Sequence, residues 1–180
     1  MKWIKRRLPS WAEMLPVYSV ILFCSYTYGL LVFAYNVPSW ILIVPLREIL
    51  GYFSYGMVLF FLDTLPQLVL VLAVAALLPR PWFLNDFTAV GSVVVGVLFF
   101  WITIVQLAFG SLVTVLTPKL EVLLVVAFLI HLVSMVVAVK RLPLIRKAVL
   151  WLSSSTGLFV YLYGFLTVVG LVVVLIRNLS

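Results

Sequence analysis

Charge is what this sequence has least of. Asp, Glu, Lys and Arg make up 9% of its 180 residues, against about 25% in a soluble domain, whose surface must face water. Twelve basic and five acidic side chains cannot build a water-facing shell, and few of them lie inside the apolar runs. A soluble globular fold is thereby excluded, and the surface has to face lipid. Cysteine is nearly missing. Cys24 stands alone within an apolar run, which rules out an internal disulfide and any CxxC redox or zinc motif and leaves a packing role. The single histidine, His131, has no second imidazole with which to complete a metal site, so neither a metal nor another cofactor is expected. GxSxG, HExxH, Walker A and DxxDG-like motifs are absent, and no catalytic residue is nominated. Ser153, Ser154 and Ser155 form a run without His or Lys beside it, and read as helix-start and packing residues.

What is present is apolar sequence, 66% of the chain. A bilayer core about 30 Å thick needs about 20 apolar residues in a helix. Five runs qualify: residues 17–37, 51–78, 89–116, 122–139 and 150–176. The expected fold is all-α, a polytopic integral membrane helix bundle forming one membrane domain over residues 1–180. Several runs exceed the minimum length, so tilts or kinks follow. The opening MKWIKRR has the charge of a signal-peptide start. Pro9, Ser10, Trp11 and Glu13 precede the apolar stretch, however, and no small-residue cleavage site follows it. Residues 1–16 therefore read as a retained cytoplasmic and interfacial segment.

Orientation follows from Lys and Arg in short loops. With a cytoplasmic N-terminus, that side holds Lys2, Lys5, Arg6, Arg7, Arg80, Lys140, Arg141, Arg146 and Lys147, and the other side only Arg47, Lys119 and Arg177. An odd number of spans puts the C-terminus outside, as in a bacterial inner membrane. The net charge of +7 is then a topology signal, and no nucleic-acid partner is implied. Lys140, Arg141, Arg146 and Lys147 form a juxtamembrane cluster suited to anionic lipid head groups. Trp3, Trp11, Trp82 and Trp151 fall near the inner face, and Tyr35 and Trp40 near the outer one. Trp101, in the middle of the third run, either packs in the bundle or lines a cavity.

A short device occurs twice. LPSWAEMLP at residues 8–16 and VPSWILIVP at residues 37–45 share Pro-Ser-Trp and a following Pro at an offset of 29, and Ser25, Tyr26 and Leu30 match Ser54, Tyr55 and Leu59. Ser10 with Glu13 fits a capping box. Ser39 can cap as well, although Leu42 replaces the glutamate. The expectation is a short interfacial helix before each of the first two spans, the second around residues 39–50, with Pro16 and Pro45 bending the chain into the membrane.

Ionisable groups within a span cost about 2.5–3.5 kcal/mol on insertion scales and need a reason. Asp63 lies near the middle of the second run, His131 near the middle of the fourth, and Gln106 about a turn outward on the third. Pro66 frees the Leu62 carbonyl and should kink or break the helix, clustering Asp63, Thr64 and Gln67 at one depth. A contact between Asp63 and His131 would satisfy both groups. Ser153, Thr156, Gly157, Gly164 and Thr167 share a face of the fifth helix on which a neighbouring backbone can come close. Three function classes follow, in order of support. The first is a non-enzymatic accessory or structural subunit of a larger membrane complex, with other membrane subunits as partners. The second is a proton- or cation-linked transporter or channel using Asp63. The third, an intramembrane enzyme, has no motif behind it.

Overall fold

The computed structural model describes residues 8–109 and 118–179. The basic cluster Lys2, Lys5, Arg6 and Arg7, Trp3, and the last part of the third expected span lie outside them. Among the described residues the chain is helical, with no strand: α1 Trp11–Ile41, α2 Leu46–Leu77, a 3-10 turn Leu84–Asp86, α3 Phe87–Phe109, α4 Pro118–Arg141, α5 Pro143–Ser155 and α6 Gly157–Leu179. Five stretches are long and apolar enough to cross a membrane, the fifth being α5 and α6 together. The protein is a multi-pass membrane helix bundle.

Helix α1 is the hub. It packs on α2, α3, α5 and α6, and 44% of its most apolar window is buried, against 6% for α4. The start of α1 is secured as its sequence foretells. The Glu13 carboxylate accepts hydrogen bonds from the Ser10 N–H at 2.8 Å and the Ser10 hydroxyl at 2.6 Å, holding the first turn where backbone donors lack helical partners.

The expected interfacial helices do not form as separate elements. Helix α1 runs unbroken through both Pro16 and Pro38. Each proline removes one backbone donor near a helix end, and burial along the rest of α1 outweighs that loss. Ser39 sits in the last turn of α1 and donates to the Asn36 carbonyl at 2.8 Å instead of capping α2. Pro45 is the residue that precedes the first turn of α2, in extended conformation. The two Pro-Ser-Trp copies therefore do opposite jobs: the first starts a helix and the second ends one. The difference is local, because Glu13 completes a cap and Leu42 cannot.

The expected fifth span is also divided. A turn at Thr156 separates α5 from α6. The hydroxyls of Ser153, Ser154 and Thr156 each donate to a carbonyl three residues back, at 3.0, 2.8 and 3.0 Å. Such bonds compete with the helical ladder, and Gly157 adds the weak helix propensity of glycine. The serine run thus closes a helix rather than opening one. Residues 143–179 would span about 55 Å as a straight helix, well beyond a bilayer core, so an interruption relieves the mismatch.

Two apolar clusters form the core. One joins α1, α2 and α3 around Val17, Ile21, Ala75, Phe87 and Val90; the other joins α1, α2 and α6 around Leu22, Tyr26, Met57 and Tyr163. Tyr26 is fully buried and stacks on Tyr163 with ring centres 4.4 Å apart. Its hydroxyl donates to the Met57 carbonyl at 3.2 Å and meets the Thr167 hydroxyl, so no polar group is stranded by this burial. Both ends of the bundle are pinned by polar contacts. At one end Lys140 reaches the carbonyls of Pro81 and Trp82 at 2.8 and 2.6 Å, and Arg146 pairs with Asp86. At the other, Arg177 pairs with Glu48, and Tyr55 donates to Asn178 at 2.9 Å.

Candidate functional site

Asp63 lies midway along α2, and α2 stays helical through Pro66. The expected break is absent. Among the described residues Asp63 has no hydrogen-bond or ion-pair partner. It lines a cavity of about 390 Å³ between α1, α2 and α3, together with Ser25, Tyr28, Phe60 and Gln67. Phe60, Asp63 and Gln67 follow one another at helical spacing, which places them on one face of α2. Gln67 accepts a hydrogen bond from Ser25 at 3.3 Å. This cavity offers a carboxyl group, an amide and two hydroxyls within an otherwise apolar wall, the composition of a small-molecule or ion site.

Thr64 is adjacent in sequence but turns elsewhere. It is fully buried, donates to the Phe61 carbonyl at 2.6 Å, and meets the Tyr18 hydroxyl at 3.2 Å. Since its own proton is engaged, Tyr18 is the donor of that second bond. Thr64 thus ties α2 to α1. Gln106 is exposed, about one turn beyond Ile102, and is not part of the cavity wall.

His131 is separate from Asp63. The neighbours of α4 are α3 and α5, whereas α2 packs mainly on α1 and α6. The imidazole Nδ1 accepts a hydrogen bond from the Trp101 indole N–H at 3.0 Å. Phe100 approaches the same ring edge-on at 5.4 Å, and Trp101 also meets Phe128. Trp101, out of place as an interface anchor, is therefore a bundle residue with a polar partner. His131 lines a second cavity of about 440 Å³ with residues of α1, α3, α4 and α5. No group of three or more His, Cys, Asp or Glu side chains comes together among the described residues. Among the residues lining the two cavities, Asp63 is the only carboxylate.

The packing face of the fifth span is split by the turn at Thr156. Ser153 and Thr156 are buried. Thr167 faces Tyr26 and donates to the Tyr163 carbonyl at 2.8 Å. Gly157 and Gly164 have open space where a Cβ would stand. The close approach falls instead at Gly170, where a Cβ would lie 2.9 Å from the Ser54 carbonyl oxygen and 3.2 Å from the Met57 Cβ. Its signal in the sequence was the spacing of three from Thr167, which continues the same helical face.

In the basic cluster, Lys140 and Arg146 are engaged with the loop that follows α2, as described above. Arg141 and Lys147 are exposed and have no partner among the described residues. Asp86, which holds Arg146, was not apparent from the sequence because the pair spans 60 positions. No family model matches this chain, and neither the curated proteins nor the solved structures contain a match to it.

Proposed function

We propose that this protein is a non-enzymatic accessory or structural subunit of a larger membrane complex. The observation that carries this reading is the outward face of α6. Gly157 and Gly164 stand seven residues apart, on one face, and a Cβ added at either would meet nothing within 4 Å. Tyr161, between them on that face, is 80% exposed. Small residues admit a second helix to van der Waals contact in a membrane, and here no helix among the described residues takes the place. Helix α4, with its small buried fraction, supports the same reading.

The protein resides in a bacterial inner membrane with its N-terminus cytoplasmic and its C-terminus external. Arg141 and Lys147 are free to meet anionic lipid head groups on the inner side. The test is extraction in mild detergent followed by native mass spectrometry. Wild type is expected with a partner chain, and Gly164→Leu, which fills the helix seat, as the lone chain. Repeated recovery of wild type alone from native membranes refutes the proposal.

One observation favours a second reading, proton- or cation-linked transport. Asp63 stands unpartnered at mid-membrane in a cavity shared with Gln67, Ser25 and Tyr28. An intramembrane carboxyl group is costly unless it serves a pathway or a partner. On this reading, liposomes holding wild type show ion or proton flux, and Asp63→Asn abolishes it while leaving the fold intact. Absence of flux from wild type, or full flux from the variant, removes the transport reading.

A further inference from the structure

The second cavity contains a polar atom that the fold leaves unserved. Ser92, on α3, is 5% exposed, and its hydroxyl has no hydrogen-bond partner, the one such buried side-chain atom among the described residues. Helix serines and threonines ordinarily return their proton to a carbonyl one turn back, as Ser19, Ser54, Thr103 and Thr167 do here at 2.8–2.9 Å. Ser92 does not, and it borders the cavity of about 440 Å³. A buried hydroxyl left unpaired is destabilising, and its persistence in a cavity wall indicates a group that satisfies it.

His131 supplies a second polar group in the same wall. Because Nδ1 accepts from Trp101, the proton of the neutral imidazole sits on Nε2, which is then a donor with a set tautomer. No charged side chain lines the cavity, so a charged occupant would be desolvated without compensation. The remaining wall is apolar and partly aromatic, with Phe23, Phe100, Met135 and Leu152 among its members. Rings and a thioether favour flat aromatic surfaces. The volume lies within the range of small-molecule pockets and exceeds what one trapped water needs. Gly96 faces open space and contributes room rather than a helix contact.

We infer that this cavity binds an uncharged, flat, apolar molecule bearing a carbonyl oxygen, which accepts hydrogen bonds from the Ser92 hydroxyl and the His131 Nε2–H. The site is distinct from the Asp63 cavity and does not depend on the subunit reading.

The experiment uses the full chain in phosphatidylcholine nanodiscs with benzophenone as a photoreactive probe. Labelled positions are read by peptide mass spectrometry. Saturable labelling is expected at Met135 and Val20, with only non-saturable labelling at lipid-facing Leu129 and Phe165. Fluorenone should displace the saturable label at more than about tenfold lower concentration than fluorene, which has the same shape without the carbonyl, as the loss of two hydrogen bonds of about 1 kcal/mol each implies. Ser92→Ala should narrow that difference while leaving the thermal midpoint unchanged or raised. Gly96→Leu should remove the Met135 label and keep the Leu129 label. Labelling confined to lipid-facing positions overturns the proposal. So does equal displacement by fluorene, which would mark an apolar void open to acyl chains. If Gly96→Leu fails to fold, the competition on wild type still decides.

Discussion

At Gly170 a single hydrogen stands where any side chain would meet the Ser54 carbonyl oxygen at 2.9 Å. The α2–α6 contact depends on that absence. Gly170→Ala is expected to destabilise the bundle by about 1–3 kcal/mol, the usual range for overpacking. A lowered midpoint in a denaturing-detergent titration would show it. Gly164→Ala provides the control, since a Cβ there has space, and it should be neutral or mildly stabilising. The Trp101–His131 hydrogen bond makes a second prediction. A double-mutant cycle with Trp101→Phe and His131→Phe should return a coupling of about 0.6 kcal/mol, up to about 1.7, as for other hydrogen bonds between membrane helices. A coupling indistinguishable from zero would mean the contact does not hold α3 to α4. That Asp63, His131 and Gln106 lie in different surroundings was not legible beforehand. Position along a helix gives depth, but which neighbour a side chain meets depends on which helices are adjacent.

At the scale of elements, the interruption between α5 and α6 is the feature that apolar length concealed. Residues 150–176 read as one apolar run, whereas the hydroxyls before Gly157 compete for the carbonyls of the ladder. Gly157→Ala should strengthen helix continuity and stabilise the chain by about 0.5–1 kcal/mol, read in the same titration. A loss of stability would show that the turn relieves strain which a continuous helix cannot accommodate. The Arg146–Asp86 pair joins the start of α5 to the 3-10 turn. Its side chains are 50% and 34% exposed, so solvent screens it. Asp86→Asn should cost less than about 1 kcal/mol, and the cost should fall as salt is added. The Ser10–Glu13 cap and, within the described residues, the helical character of the five runs were readable because they rest on contacts within a few residues.

For the whole molecule, the positive-inside bias predicts sidedness. In a Cys24→Ser background, a cysteine at position 147 should react with a membrane-impermeant maleimide only in inside-out vesicles, and one at position 178 only in right-side-out vesicles. The reverse pattern would overturn the orientation. The bundle is arranged around α1, with α4 at its margin. Its exposed apolar surface suits lipid, and the partner helix proposed above would seat at the Gly157–Gly164 face.

By itself the sequence determined the membrane class, the all-α fold and five segments able to cross. These follow from composition and run length, because water rejects so apolar a surface and a bilayer admits helices whose backbone bonds are internal. Tertiary structure decided the rest: that Asp63 and His131 border different cavities, that Gly170 rather than Gly164 is the close contact, and that Ser92 is left without a partner. Each depends on helix rotation and adjacency, which side chains far apart in the chain set jointly through packing.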